Sequence, residues 1–360
     1  MSGEVVVNGA TLTAKDKDII VGLSDSAKIF NAESDVEEES SDIFTGDAKK
    51  IVMANGRDTI KNYDYKTGEA FRTEYENIAD AIKENSIAYD DGRLTIDSST
   101  IIFDDDADSR IINFVDKNDD LQKVGFVGDD ASLDASKETG SLILVGGSDS
   151  TLFGGTGKNQ IYLKENGEST VALNGRNTIN NFNADFADGD KISVDATTAN
   201  FSFDGSDLTV KSGATRALLE SISSDNGVAK LLTVKDGKEV KTAIAQAGAV
   251  ISIGDDLADA YYGKKSGVDF TSYNESLTID LSKNFYGINQ VTVGGGLNTL
   301  IGSTANETLT GNANGTTEFV FDKGNGRDVI KNFNFAEDKI NVGDETITAV
   351  ILKENDVACK

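Results

Sequence analysis

One phrase of nine residues occurs three times in this chain of 360, and that repetition constrains the fold more than any other feature. Asn55-Gly-Arg-Asp-Thr-Ile-Lys-Asn-Tyr63 returns as Asn174-Gly-Arg-Asn-Thr-Ile-Asn-Asn-Phe182 and as Asn325-Gly-Arg-Asp-Val-Ile-Lys-Asn-Phe333. Other phrases keep their order around it. Val21-Gly22, Val145-Gly146-Gly147 and Val293-Gly294-Gly295 stand upstream. Leu133-Asp134-Ala135-Ser136-Lys137 matches Ile279-Asp280-Leu281-Ser282-Lys283, and Asp190-Lys191-Ile192 matches Asp338-Lys339-Ile340. A chain that repeats on this scale stacks one supersecondary unit on copies of itself, because a single unit cannot bury its apolar face. The repeat divides the sequence into modules at 1–144, 145–292 and 293–360, the last one truncated.

A shorter period runs inside each module. Leu152 and Ile161, Leu300 and Leu309, Phe321 and Ile330, and Ile51 and Ile60 are each nine residues apart, with glycines between them at 154, 155, 157, 302, 324 and 326. A short strand, a glycine turn and a second short strand make half a coil. The expected fold class is mainly β: parallel β-roll or β-solenoid modules in tandem, with a few short helices. The chain has no Pro, so every ladder N–H can donate. Phe71, Tyr75, Ile78 and Ile82 have helical spacing and predict a helix over 71–84. Arg216 to Ser223 and Lys241 to Gly248 also depart from the strand pattern. Asp-Gly within Tyr89 to Ile96 and within Phe203 to Val210 reads as a hairpin turn.

Composition removes whole classes of function. There is no His and one Cys, so Ser-His-Asp sites, Cys₄ zinc and iron–sulfur clusters are excluded. With 34 basic against 61 acidic residues, the net charge of −27 repels nucleic acid and anionic membranes. No apolar run is long enough to insert in a membrane. The opening MSGEVVVNGA has neither the basic nor the apolar region of a secretory signal peptide. Excess carboxylate favours hard cations such as Ca²⁺.

Gly154-Gly-Thr-Gly157-Lys-Asn159-Gln-Ile161 and Gly324-x-Gly326-x-Asp328-x-Ile330 resemble the RTX family of haemolysin-type calcium-binding repeats, whose pattern is G-G-x-G-x-D-x-U-x with U a large apolar residue. The thrice-repeated phrase, followed by Asp-Lys-Ile, resembles the segment that closes such repeats in secreted bacterial proteins. The resemblance covers 145–195 and 293–342, with a weaker copy at 21–63. It implies a β-roll, calcium held by an Asp two places before U, and export without an N-terminal signal, of the type I kind. Here that place holds Asp58 and Asp328, but elsewhere Lys49, Ser150, Asn159, Asn177, Asn298, Glu307 and Thr317. Asn306 or Glu307 falls on the coil beneath Asp328. Candidate Ca²⁺ ligands are therefore Asp58, Asp328 and Glu307, joined by Asp190 and Asp338 of the closing segments. Asp104-Asp-Asp106 with Asp108 forms a second acidic cluster. Asp116-x-Asn118-x-Asp120 looks like the front of an EF-hand, but Leu121 replaces its Gly and Val127 its Glu.

The expected function is an extracellular structural protein: a self-assembling surface-layer, matrix or filament subunit whose main partner is another copy of itself, in a fibre or lattice. The expectation is that it is no enzyme. A calcium-dependent adhesin or glycan-binding module, with a cell-surface glycan as partner, is the alternative, and a polysaccharide-active enzyme on a β-helix is the second. Exposed aromatic clusters would favour the glycan reading; Tyr261-Tyr262 and Phe285-Tyr286 are the adjacent aromatic pairs, placed in the core or at its rim. Cys359 reads as an inert thiol near the chain end.

Overall fold

A computed structural model describes residues 63–343 apart from 68–69, 91, 98, 104–106, 254–256 and 323, and strand backbones alone within 1–61 and 350–359. The fold is mainly β, a parallel β-solenoid with few helices. In space the chain gathers into two compact units, Met1–Asn181 and Phe182–Lys360.

The nine-residue period becomes half a coil in both units. In the first, Leu152 pairs in parallel with Leu133 and Val171 on one wall. Nine residues on, Ile161 pairs with Leu144 and Ile179 on the other wall. Partners lie 17 to 19 residues apart, so a coil is two nonamers. Leu144, Leu152, Ile161, Val171 and Ile179 have no exposed surface, and two facing rows of apolar side chains fill the space between the walls. Burying each contributes about 2 kcal/mol. In the second unit Ile279, Leu300, Phe319 and Ile340 form one row. Val291, Leu309 and Ile330 form the facing row.

Antiparallel insertions decorate this plan. Ile87–Asp90 and Arg93–Ile96 form the expected hairpin in the first unit. In the second, Asn200–Phe203, Leu208–Ser212 and Thr215–Leu219 form a meander. The segments expected to break the strand pattern need correction. The helix spans Ile78–Lys83 only, starting where Asn77 accepts a hydrogen bond from the Ala79 N–H. Phe71–Arg72 is instead a strand, because Phe71 is wholly buried beside its partner Phe114. Residues 216–219 belong to a strand in which Ala217 and Leu219 both point inward with no exposure. The Ala-rich segment lies largely in strand Lys238–Ala245, antiparallel to Val228–Lys235. Small side chains suit it because Ala243, Ile244 and Ala245 are all buried, on both faces of the strand.

The pattern glycines are steric requirements. A Cβ on Gly157 would lie 1.7 Å from the Gly140 carbonyl oxygen of the preceding coil, and one on Gly326 would lie 1.6 Å from that of Ala305. Backbone occupies the space a side chain would need. Gly157→Ala should therefore cost about 3 kcal/mol in denaturant unfolding, against under about 0.5 kcal/mol for the exposed neighbour Lys158→Ala.

Candidate functional site

The position two places before the inward apolar residue lies just after each glycine turn, so its side chain reaches back into the turn. Coil stacking puts these positions in columns. Asn159 and Asn177 are register partners, both buried. Asn159 Nδ2 donates to the carbonyls of Gly155 and Asn174 and to Asn177 Oδ1, each at 2.9 Å, while its Oδ1 accepts from the Gly155 N–H at 3.1 Å. Ser150 and Ser169 likewise donate to the Gly147 carbonyl, at 3.0 and 3.1 Å. Asn298 Nδ2 donates to Gly294 and Gly295 at 3.1 and 3.3 Å, and its Oδ1 accepts from the Leu277 N–H. Neutral donors thus satisfy the inward turn carbonyls.

Glu307 and Asp328 break that rule. They immediately precede the register partners Thr308 and Val329, and both are buried, 2 % and 4 % exposed. Asp328 Oδ1 accepts from the Glu307 N–H at 2.9 Å. The Glu307 carboxyl accepts from the Ser303 hydroxyl and, at 3.3 Å, from the Ser303 N–H. Burial, and then the hydrogen bond and charge of Glu307, push the Asp328 carboxyl up to about 7. Two stacked, buried acids resist ionising together, so below about pH 7 Asp328 keeps its proton.

The closing-segment acids act singly on their own loops. Asp338 accepts from the N–H groups of Asn334 at 2.8 Å and, on the coil beneath, of Thr317 at 2.7 Å. Asp190 accepts from the Asn183 N–H at 2.8 Å, and its own N–H donates back to Asn183. Of the predicted ligands, the structure stacks Glu307 with Asp328. Asp190 and Asp338 each lock a separate loop. The side chain of Asp58, residues Asp104 to Asp106, the acidic run Glu37 to Glu39 and the side chain of Cys359 lie outside the described residues. Asp116 makes a hairpin turn by accepting from the Asn118 and Asp120 N–H groups at 2.9 Å.

Calcium takes six to eight oxygens, carboxylates among them. Among the described residues no three acidic side chains group together. At the turns of Asn159 and Asn298, N–H groups point where a cation would have to sit, so these turns do not fit the ion.

No protein-family model and no curated protein matches the chain. Among solved structures it is similar to the extracellular lipase LipA from Serratia marcescens, at 16% identity and a TM-score of 0.24, covering 63% of this chain and 38% of that one. The expectation of no enzyme is corrected by this match to a lipase. Lack of His still leaves carboxyl, Lys and Tyr as general acids and bases.

Two outcomes follow from the turn chemistry. Between the ordinary carboxyl value of 3.8 and about 7, the folded chain keeps a proton on Asp328 that the unfolded chain releases. Stability should therefore fall as pH rises through that window, with the full cost present above it. Asp328→Asn should flatten this slope and melt higher than the parent at pH 8, as read by circular dichroism. Asn159→Asp removes the donor facing three acceptors and should cost about 2 kcal/mol at neutral pH in chelator, measured by urea unfolding.

Proposed function

We propose that this chain is an extracellular β-solenoid of the haemolysin-type repeat kind and a self-assembling subunit of a surface layer, matrix or filament. The observation that carries this reading is the state of the wall edges. In the second unit one wall runs Thr278–Asp280, Gly296–Ile301, Gly315–Val320, Lys339–Asn341, and its first and last strands each have a strand partner on one side only among the described residues. Each outer edge presents backbone groups in the parallel register that the coils use internally, the arrangement that templates pairing with another chain. Joining a last strand to the first strand of another copy is a head-to-tail contact, which yields filaments when it does not close.

The acid excess sets the conditions. Chains at −27 repel one another, so salt should promote association by screening. Purified protein should form large oligomers, visible as fibres or sheets by electron microscopy, with scattering that grows with ionic strength. A monodisperse monomer at high salt, with and without millimolar Ca²⁺, would overturn the reading.

A further inference from the structure

One wall of the second unit carries aromatic rings on its outer face. Strands Lys238–Ala245, Ala260–Asp269 and Phe285–Thr292 pair in parallel. Their inward row of Ala243, Tyr261 and Phe285 packs in or against the core. The next row points the other way and holds Ile244, Tyr262 and Tyr286. The rings of Tyr262 and Tyr286 stack at 4.4 Å between centroids, and Phe201 from the meander meets Tyr262 edge-on at 4.6 Å. Tyr262 is buried, with its hydroxyl donating to the Ala196 carbonyl, so it forms a fixed floor. Phe201 and Tyr286 are half-exposed on either side.

These rings line a groove of about 400 Å³, within the roughly 300–1,000 Å³ typical of small-molecule sites. Its rim includes the exposed side chains of Asn200, Ser202 and Lys264. None of the lining residues is acidic, in a chain with 61 acidic residues. Lys264 lies on a bulge, where the register with the next strand shifts between Tyr262 and Ser266. Gly287 accommodates this bulge at φ +74°, where a Cβ would sit 2.1 Å from the Gly263 carbonyl oxygen. Bulges re-aim side chains beside sites. The larger cleft of the first unit is less suited, because its cations are already engaged: Lys83 lies over the Tyr162 ring and Lys164 pairs with Asp129.

We propose that this groove binds a saccharide chain. Half-exposed Tyr286, held by stacking on the buried Tyr262, and half-exposed Phe201 offer apolar ring surface to the C–H face of a pyranose, and the amide and hydroxyl of the rim match its hydroxyl groups. Lack of carboxylate and the presence of Lys264 admit sugar carboxylates as well. The inference is independent of self-assembly, which uses strand edges.

Calorimetric titration of the full chain with cellohexaose, chitohexaose and hexagalacturonate tests it. At least one should bind, and Tyr286→Ala should weaken that binding roughly tenfold. Ser202→Glu, at an exposed position, should weaken it as well, most for the galacturonate. No binding of any of the three at millimolar concentration would overturn the proposal, as would unchanged binding by both variants. Loss of assembly in Tyr286→Ala with sugar binding intact would assign the groove to a contact between copies, and would overturn it too.

Discussion

Each coil of this solenoid must turn sharply with its backbone carbonyls aimed inward, and those carbonyls need a partner carrying positive charge or a proton. The rest of the structure depends on how that demand is met. At Asn159 an amide meets it: one NH₂ group serves two turn carbonyls and the amide oxygen of Asn177 on the next coil. The same contact that closes a turn therefore also fixes the register between coils. This matters because the strands are short, three to six residues in the regular coils. Strands of that length supply few ladder bonds, and an isolated coil could not hold its own shape. An amide also brings no charge into the interior, so it avoids the desolvation cost that an ion would carry.

Where the turn position is acidic, a different partner is recruited in each case. Asp338 and Asp190 turn the polarity round, accepting from loop N–H groups instead of donating to carbonyls. Glu307 and Asp328 stack on one another and need a proton between them. Acid content and acid location thus have separate meanings. The 61 acidic residues together set the net charge of −27, whereas this buried pair makes coil stacking depend on pH.

The coil was legible because its cause is periodic. Leu152 and Ile161 stand nine apart since one faces inward from each wall, and glycines recur between them since backbone fills the space above Gly157. The columns of Ser, Asn and Thr were also countable from sequence, and amides and hydroxyls suit the capping of glycine turns; which groups they bond was not legible. Read one position at a time, Asn in place of Asp is only a lost carboxylate; its Nδ2 bonds become apparent once the neighbouring turn is in place. The helix was overextended because Phe71 and Tyr75 fit a 3.6-residue spacing by chance, while Asn77 starts the helix and the sheet claims Phe71. Nothing in the sequence paired Tyr262 with Tyr286. They are 24 residues apart, and a register shift follows immediately, so the spacing matches no repeat.

Coil stacking consumes the inward faces and all but the terminal strand edges. Chemistry specific to this chain is left two places to reside: the ends of the walls and their outer faces. Insertions are where the outer face departs from the repeat. The meander from Asn200 to Leu219 brings Phe201 against Tyr262, on a wall whose own repeat would have left that ring bare. A longer insertion costs little extra loop entropy once the coils on either side are fixed, so the solenoid can carry such additions without loss of its core. Edge and face are also physically separate resources, one made of backbone groups and the other of side chains. Under the two proposals above, pairing through strand edges would therefore leave the groove of Tyr262 and Tyr286 accessible.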